Sequence, residues 1–322
     1  MRLLLTGITG FVGSHMAEYA LAQGAEVFGS ARWRSRTENV DHLRGKIQLI
    51  ECDLRDVASV RRLLATASPT HVIHLAAQSF VGSSWHTPTE TLVNNTVCQV
   101  NLLEGIRELK IVPRFVVVGT SEEYGLVYPD EVPIRETNPL RPLSPYAVSK
   151  VAQDLMGFQY FRSYGMPIVR TRAFNHEGPR RGEVFVTSNF AKQVAEIEAG
   201  LREPRIFVGD LKPRRDYSDV RDIVRGYWML VERGEAGEVY NLCSGRSWTI
   251  QQVLDFYLNE ARVKGIAVET DPQRLRPSDV MVLEGDPSKI KKALGWEVLI
   301  PFERTLGDLL EYWRSRVAAS AR

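Results

Sequence analysis

Hydrophobic positions in the first half of the chain follow two alternating patterns. Short apolar runs typical of buried strands alternate with longer segments in which apolar residues recur at helical spacing. The predicted strands cover residues 2–6, 26–30, 47–51, 71–75, 115–119 and 167–171. The predicted helices cover residues 12–22, 57–67, 91–109 and 146–164. This alternation predicts an α/β protein, built on a doubly wound parallel sheet with helices on both faces.

The pattern changes after residue 171. Residues 173–190 contain Gly178, Pro179 and Gly182 and are predicted to be rich in loops. Further elements are predicted as helices over 219–232, 249–261, 288–294 and 302–318, and as a short strand over 237–242. They indicate a smaller C-terminal lobe, interleaved with the last strands of the sheet. Its loops should close over a ligand at the carboxyl ends of the strands.

A glycine-rich turn follows the first predicted strand. Gly7, Gly10 and Gly13 come directly after an apolar run and open the first predicted helix. Glycines at this spacing allow a tight turn, close approach of the backbone to a pyrophosphate and close packing of the helix on the strand. The N–H groups at the start of the helix then favour phosphates. The expected contacts of such a Rossmann-type dinucleotide site are Gly7, Thr9, Gly10, Phe11, Val12 and Gly13.

Composition narrows the class of protein. Hydrophobic residues make up 44% of the chain and charged residues 25%, as in a globular protein, and the net charge of +2 gives no reason to expect nucleic-acid binding. No apolar run approaches the roughly 18 residues of a membrane span, and no signal peptide precedes the first strand, so we expect a cytoplasmic protein. The three cysteines have no metal-ligand spacing, so we expect buried thiols and no metal site.

Candidate catalytic residues occur at two places in the sequence. Tyr146 and Lys150 follow Pro145 at the start of a predicted helix and share one face of it. A lysine ammonium one turn away is expected to lower the pKa of a phenol, which is ordinarily about 10. The pair alone also fits an ordinary surface helix. Thr120 and Glu122, however, follow the fifth predicted strand, where such sheets present reactive side chains. We expect Thr120 to hydrogen-bond a substrate oxygen beside Tyr146 and Glu122 to act as a base.

In order and spacing, these motifs resemble those of the extended short-chain dehydrogenase/reductase family over essentially the whole chain. The resemblance rests on the glycine motif, Asp53-Leu54, His-Leu-Ala-Ala at 74–77, Thr-Ser-Glu at 120–122 and the Tyr146/Lys150 pair. It implies that Thr120, Tyr146 and Lys150 form the catalytic trio. It also implies further cofactor contacts from Asp53, Leu54, Leu75, Ala76 and Ala77, besides Tyr146 and Lys150.

Longer segments narrow the resemblance to one branch of that family. Residues 76–85 and 172–187 resemble GDP-mannose 4,6-dehydratases, whereas residues 122–125, residues 140–142 and the compact length resemble GDP-4-keto-6-deoxy-mannose reductases. The first resemblance implies conversion of GDP-mannose to GDP-4-keto-6-deoxy-mannose by internal hydride transfer and loss of water. The second implies reduction of that keto sugar by NADPH, and a sugar-nucleotide 4-epimerase has weaker support.

The same resemblance implies where the substrate binds and how the chain assembles. We expect GDP-sugar contacts from Ser79, Ser121, Asn175, Arg180, Val186, Lys192, Arg215, Arg276 and Asp279. By the same analogy, Asn175 and Arg215 hold the diphosphate, and Val186, Lys192 and Asp279 approach the nucleoside. The helices predicted over 91–109 and 146–164 would pair two subunits through a four-helix bundle, which gives a homodimer or a homotetramer.

The end of the second predicted strand indicates which dinucleotide binds. Enzymes that use NAD usually carry an acidic residue there, bonded to the ribose hydroxyls. This chain has Arg32, Arg34 and Arg36 instead, and guanidinium groups suit phosphate oxygens. We therefore expect NADP, with Arg32 at the 2′-phosphate, although a solvated basic loop or a subunit contact would explain the same arginines. Residues 1–171, with contributions from about 215–245, would then be the NADP-binding domain. Residues 172–322 would form mainly the sugar-nucleotide lobe.

Overall fold

The computed structural model of the chain describes residues 1–274 and 280–320. The first elements are β1 (Arg2–Thr6), α1 (Phe11–Ala22), β2 (Glu26–Ala31), β3 (Gln48–Glu51), α2 (Val57–Ala67), β4 (His71–His74), α3 (Val81–His86), α4 (Pro88–Glu108), β5 (Arg114–Thr120), α5 (Pro145–Tyr164) and β6 (Ile168–Ala173). The later elements are β7 (Asn175–Glu177), α6 (Val186–Glu198), β8 (Arg205–Val208), β9 (Arg214–Asp219), α7 (Val220–Arg233), β10 (Val239–Leu242), β11 (Ser247–Thr249), α8 (Ile250–Glu260), β12 (Ala267–Thr270), β13 (Val282–Leu283), α9 (Ser288–Leu294) and α10 (Phe302–Ser320).

The main sheet has seven parallel strands in the order β10-β6-β5-β4-β1-β2-β3. From β1 the chain therefore winds outward in one direction through β2 and β3 and in the other through β4, β5, β6 and β10, so the winding reverses between β1 and β4. This order confirms the predicted doubly wound α/β fold. Ligands bind such sheets outside the carboxyl ends of the strands where the winding reverses, which here is the edge next to β1 and β4.

The two faces of the sheet pack against different helices. Leu3 and Leu5 of β1 belong to the hydrophobic cluster that contains residues of α1 and α7. Leu4 belongs to the opposite cluster, with residues of α2 and α4. All three leucines are fully buried, and each such side chain contributes about 1.5–3 kcal/mol by leaving water. The continuous apolar run at the N-terminus is explained by this burial on both faces.

The second lobe has its own core and smaller sheets. Buried residues of α6, α8 and α10 pack together in one cluster. Strands β7, β9, β11 and β13 form one small sheet, and β8 pairs with β12. Residues 173–190, predicted to be rich in loops, also contain β7 and the start of α6. Strand β7 (Asn-His-Glu) is polar, so no apolar run marks it in the sequence.

Two expectations from composition concern the cysteines and the helices. Cys52, Cys98 and Cys243 are all buried free thiols. Among the helices of the described part of the chain, none combines the length and the apolar character that a membrane span requires.

Candidate active site

A cleft of about 1640 Å³ opens at the carboxyl ends of β1, β4 and β5, between the sheet and the second lobe. Thr120, Glu122, Tyr146 and Lys150 all line it, as do all the residues expected to bind the cofactor. Six of the expected substrate contacts also line it, namely Ser79, Ser121, Asn175, Val186, Lys192 and Arg215. Arg276 and Asp279 lie outside the described residues.

The glycine turn leaves no room for side chains. Gly7 has a positive φ of 69°, and a Cβ on it would approach the Ala76 backbone to 3.0 Å. A Cβ on Gly13 would come within 2.7 Å of Ile8 Cα. Gly10 caps α1 without a side-chain hydrogen bond to the first N–H groups of the helix. The turn therefore fits a pyrophosphate, whose oxygens would approach the backbone and accept from those N–H groups.

The end of the cleft beside β2 carries positive charge. Arg32 follows the last residue of β2, is exposed and lines the cleft together with Asp53. Hydrogen bonds from Arg55 lower the pKa of Asp53, and the charge of Arg32 adds a smaller lowering. Since Arg55 Nη2 lies 2.8 Å from Asp53 Oδ2, this acid is already paired within the chain. A phosphate group at this end would meet the free side of the Arg32 guanidinium.

A short 3₁₀ turn at the end of β5 positions Thr120 and Glu122. The Glu123 carboxylate accepts from the Thr120 N–H at 2.8 Å, and Thr120 Oγ1 accepts from the Glu122 N–H at 3.3 Å. This reciprocal cap buries Glu123 completely and leaves Glu122 half-buried at the cleft. Gly119 allows the arrangement, because a Cβ there would collide with the Glu123 carboxylate.

Glu123 belongs to a buried charged cluster behind the cleft. Arg172 Nε lies 2.8 Å from Asp154 Oδ2 and 3.3 Å from Glu123 Oε2. Burial and the charge of Asp154 raise the pKa of Glu123 to about 8, against the opposing charge of Arg172. The pKa of Asp154 is lowered, chiefly by the charges of Arg172 and Arg170 acting against burial, so Asp154 ionises more readily than Glu123.

Tyr146 is buried at the start of α5. Ser144 caps this helix by accepting from the Ala147 N–H at 3.1 Å. Burial raises the pKa of Tyr146, and the charges of Glu122 and Glu123 raise it further, while a hydrogen bond with Thr120 lowers it. The pKa of Tyr146 is therefore raised rather than lowered as expected from the nearby lysine, because desolvation of the phenolate is the largest effect.

Lys150 lies on the same helix, one turn after Tyr146, and is also buried. Burial lowers its pKa to about 8, while the charges of Glu123 and Asp154 act to raise it. Its ammonium group donates to Gln153 Oε1 at 2.7 Å. The lysine is thus held by an amide that sequence analysis did not single out.

Arg180 lies away from the cleft lining. Its guanidinium donates to both carboxylate oxygens of Glu18, at 2.9 and 2.8 Å, and to His15 Nδ1 at 3.3 Å. These contacts attach the loop after β7 to helix α1. The expected role of Arg180 in holding the sugar nucleotide is therefore corrected to a contact within the protein. The physical reason is that the Glu18 carboxylate on α1 accepts two hydrogen bonds from Arg180 and pairs with its charge.

Ser79 and Ser121 follow β4 and β5, and the other expected substrate residues in the cleft come from three elements of the second lobe. Asn175 lies on β7, Lys192 on α6 and Arg215 on β9. Lys192 donates to Glu183 and lies 3.6 Å from Glu196 Oε1. Arg215 is buried and donates to the Val280 carbonyl at 2.5 Å. Their common position on one cleft follows from the folding of the lobe over the sheet.

Comparison with known proteins gives the family. Residues 4–309 match the model of the family described as GDP-mannose 4,6 dehydratase. The chain belongs to this family. It is 34% identical to GDP-mannose 4,6-dehydratase of Yersinia enterocolitica, with 96% of this chain and 92% of that protein covered. It is 32% identical to GDP-6-deoxy-D-mannose reductase of Pseudomonas aeruginosa, with 98% of each covered. The structure of RMD from Pseudomonas aeruginosa complexed with NADPH has a TM-score of 0.85 at 30% identity, covering 98% of this chain and 100% of that one.

These findings confirm the resemblance to extended short-chain dehydrogenases/reductases. In this member of the GDP-mannose 4,6-dehydratase family, Arg181 and His176 are among the cleft residues that the sequence did not assign to the site. Arg181 stacks 3.4 Å from the ring centroid of Phe185, and its charge lowers the pKa of Tyr146. His176 lies parallel to Phe11 at 6.2 Å, and burial lowers its pKa to about 4. The adjacent Arg180-Arg181 pair was a signal, but the sequence does not show which arginine faces the cleft.

Proposed function

We propose that the protein is a GDP-mannose 4,6-dehydratase, which converts GDP-mannose to GDP-4-keto-6-deoxy-mannose with loss of water. One observation carries the proposal. Glu122 lies in the same cleft as Tyr146 and Thr120, close enough for its charge to act on the phenol. A carboxylate beside the tyrosine supplies the base that an elimination requires and that a simple reduction does not use.

The cleft residues divide the chemistry between them. A bound nicotinamide dinucleotide would accept a hydride from C4 of the sugar and return it at C6, so that no net redox change occurs. Tyr146, ionised in the reacting complex, takes the proton of the C4 hydroxyl, whose oxygen Thr120 orients by a hydrogen bond. The C4 ketone acidifies the C5 proton, and Glu122 removes it and passes it to the C6 hydroxyl, which leaves as water. The proton held by Tyr146 goes to C5 when the hydride is returned at C6, so that both residues end in their starting forms. The ammonium of Lys150 stabilises the phenolate and binds the ribose hydroxyls.

The cofactor that we propose is NADP. The glycine turn provides the pyrophosphate site, and Arg32 stands after β2 where an acidic residue would favour NAD. A relative of this chain, RMD from Pseudomonas aeruginosa, is described as complexed with NADPH. Arg32 would bind the 2′-phosphate from the exposed end of the cleft.

The proposed substrate contacts keep the assignments made by analogy, except that of Arg180. Asn175 and Arg215 would hold the diphosphate, and Val186 and Lys192 would approach the guanosine. Arg276 and Asp279 remain predictions of the same kind.

A reductase is the second candidate. The reductase of Pseudomonas aeruginosa and this chain cover 98% of each other, whereas the dehydratase of Yersinia enterocolitica extends further beyond the aligned region. In a reductase, Tyr146 would act as the acid that protonates the C4 oxygen. Glu122 would then have no necessary role as a base.

The deciding experiment incubates the purified protein with GDP-mannose and a catalytic amount of NADP⁺ and follows the sugar nucleotide by mass spectrometry. Loss of one water without accumulation of NADPH is expected. No reaction with GDP-mannose, together with NADPH consumption on the 4-keto product, would instead establish the reductase. Glu122→Gln should abolish water loss while leaving GDP-mannose binding by calorimetry unchanged. Normal turnover of that variant would refute the assigned base.

We also propose that two copies pair through α4 and α5. Both helices expose apolar side chains, among them Val93 on α4 and Val148, Leu155 and Phe158 on α5, which are 42–53% exposed. Apolar side chains at these positions favour burial against a second copy of the chain. The proposed location is the cytoplasm, and no nucleic-acid or membrane partner is proposed.

A further inference from the structure

A buried chain of hydrogen bonds connects the catalytic lysine with the first strand of the sheet. It begins at Lys150 on α5, passes through Gln153 on the same helix to His74 at the end of β4, and ends at Thr6, the last residue of β1. All four side chains are at most 4% exposed. Groups buried in this way keep their partners, because losing one costs the full desolvation of the other.

The Gln153 amide can adopt only one orientation in this chain. Its Oε1 lies 2.7 Å from Lys150 Nζ, which can only donate, and its Nε2 lies 2.9 Å from the Asn95 carbonyl, which can only accept. Turning the amide over would place two donors together at Lys150 and two acceptors together at Asn95. The remaining N–H of Gln153 therefore points to His74 Nε2, at 3.3 Å.

Both ring nitrogens of His74 have partners in this chain. Nε2 faces the Gln153 amide at 3.3 Å, and Nδ1 pairs with Thr6 Oγ1 at 2.8 Å. Burial lowers the pKa of His74 to about 3, so the ring is neutral at every pH at which the protein would be assayed. Thr6 Oγ1 also accepts from the backbone N–H groups of Leu75 and Ala76, at 3.1 and 3.2 Å. The glycine turn starts at the next residue.

We propose that Gln153, oriented by the Asn95 carbonyl, is a positioning residue that holds the ammonium group of Lys150 in place relative to Gly7 and Ala76, which line the expected cofactor site. The inference deepens the proposed function and rests on it for the role of Lys150. Gln153 itself contacts the lysine and not the substrate. It acts by supplying the carbonyl oxygen that stabilises the charged form of the lysine.

Other charges also face Lys150, and the test has to separate their effects from that of Gln153. Glu123 approaches from the 3₁₀ turn and Asp154 from α5, and both act to raise the pKa of Lys150. Arg172 on β6 pairs with both acids, and Tyr146 precedes the lysine by one turn. None of these groups is altered by a substitution at Gln153.

The first variant is Gln153→Met, which keeps the length of the side chain and removes both polar atoms. Loss of a hydrogen bond to a charged group should lower the pKa of Lys150 by about one unit. With a starting pKa of about 8, the protonated fraction at pH 8 then falls about fivefold, whereas at pH 6 it hardly changes. We expect turnover to fall about fivefold at pH 8 and to recover at pH 6.

The second variant, Gln153→Glu, should move the alkaline limb of the pH profile in the opposite direction, because a carboxylate stabilises the ammonium. Gln99→Met is the matched control. Gln99 is also fully buried and donates to the backbone carbonyl of residue 153 at 2.8 Å, but it does not contact Lys150. If Gln153 had only a structural role, both Gln153 variants would lose turnover at all pH values. The Gln99→Met control would then show a similar loss.

A cofactor-free measurement distinguishes failure of this inference from failure of the proposed function. The midpoint of Lys150 is followed by ¹⁵N NMR of the lysine Nζ atoms, with the signal assigned by its loss in Lys150→Met. A lower midpoint in Gln153→Met and a higher one in Gln153→Glu support the positioning role, whichever reaction the protein catalyses. An unchanged midpoint in either variant, or an equal shift in Gln99→Met, overturns it.

Discussion

Replacing Gly13 with alanine tests whether the glycine turn is shaped for a ligand or only for a helix. Gly13 lies in the first turn of α1, so alanine should by propensity alone stabilise the helix by about 0.5–1 kcal/mol. The added methyl group, however, would lie 2.7 Å from Ile8 Cα and 2.9 Å from Ile8 C, and closer still to the Gly7 carbonyl oxygen. These are backbone atoms, so no side chain can rotate away to relieve the contact.

The magnitude follows from weighing the two effects. Overpacking of a rigid site costs about 1–3 kcal/mol, which exceeds the gain in helix propensity. The atoms that must move belong to the turn that would hold the pyrophosphate. Losing one or two hydrogen bonds to a charged group costs about 1.5–3 kcal/mol each, which corresponds to a fall in NADP⁺ affinity of at least about tenfold. We therefore expect loss of stability and a larger loss of cofactor binding.

Gly307→Ala is the matched control for this prediction. Gly307 also lies inside a helix, α10, and a Cβ there would meet nothing within 4 Å. This variant should be more stable than the wild type by about 0.5–1 kcal/mol and bind NADP⁺ normally. Urea unfolding and calorimetry of both variants give the two quantities. If Gly13→Ala proves as stable as Gly307→Ala, or binds NADP⁺ like the wild type, the steric argument for the turn is refuted.

Three further predictions concern charge, assembly and pH. Arg32→Ala should lower the affinity for NADP⁺ at least about tenfold and leave the affinity for NAD⁺ nearly unchanged. If calorimetry shows that the wild type binds NAD⁺ more tightly than NADP⁺, the NADP assignment is contradicted. Leu155→Asp on the exposed face of α5 should shift the protein toward the monomer in analytical ultracentrifugation. The control Leu299→Asp, at an exposed leucine outside α4 and α5, should not. Because burial raises the pKa of Glu123 from 4.5 to about 8, the folded state binds its proton more tightly than the unfolded state. The free energy of unfolding should therefore fall as pH rises from about 4.5 to 8, and Glu123→Gln should flatten that slope in urea unfolding measured across the range.

Much of the fold could be predicted because its signals are local. The apolar run at β1 is buried on both faces, and the predicted helix over 57–67 coincides with α2, whose Asp56 cap lies directly before it. The glycine spacing likewise placed the turn correctly, because steric limits act between residues close in sequence. Strand β9, in contrast, reads Arg-Arg-Asp-Tyr-Ser-Asp and is almost wholly buried. Its burial depends on neighbouring strands far away in the chain, which no local pattern reveals.

The site shows the same division between local and long-range effects. The positions of Thr120, Glu122, Tyr146 and Lys150 on one cleft follow from strand ends and helix spacing, and all four were predicted. The sign of the pKa shift of Tyr146 was not, because it depends on how completely the second lobe removes water from the phenol. Arg180 pairs with Glu18 of α1 and Arg181 lines the cleft, and two adjacent identical side chains do not show in the sequence which of them makes which contact.

Glu122 and Glu123 show where a local signal does decide the chemistry. The two acids are adjacent and chemically alike, yet one lines the cleft and the other is fully buried. The spacing from Thr120 to Glu123 is that of a capping box, in which the third residue of the turn folds back onto the N–H of the capping residue. Glu123 therefore has to turn inward to satisfy the Thr120 N–H. Because Glu123 forms the cap, Glu122 is the acid of the pair that lines the cleft, where the proposed elimination requires a base.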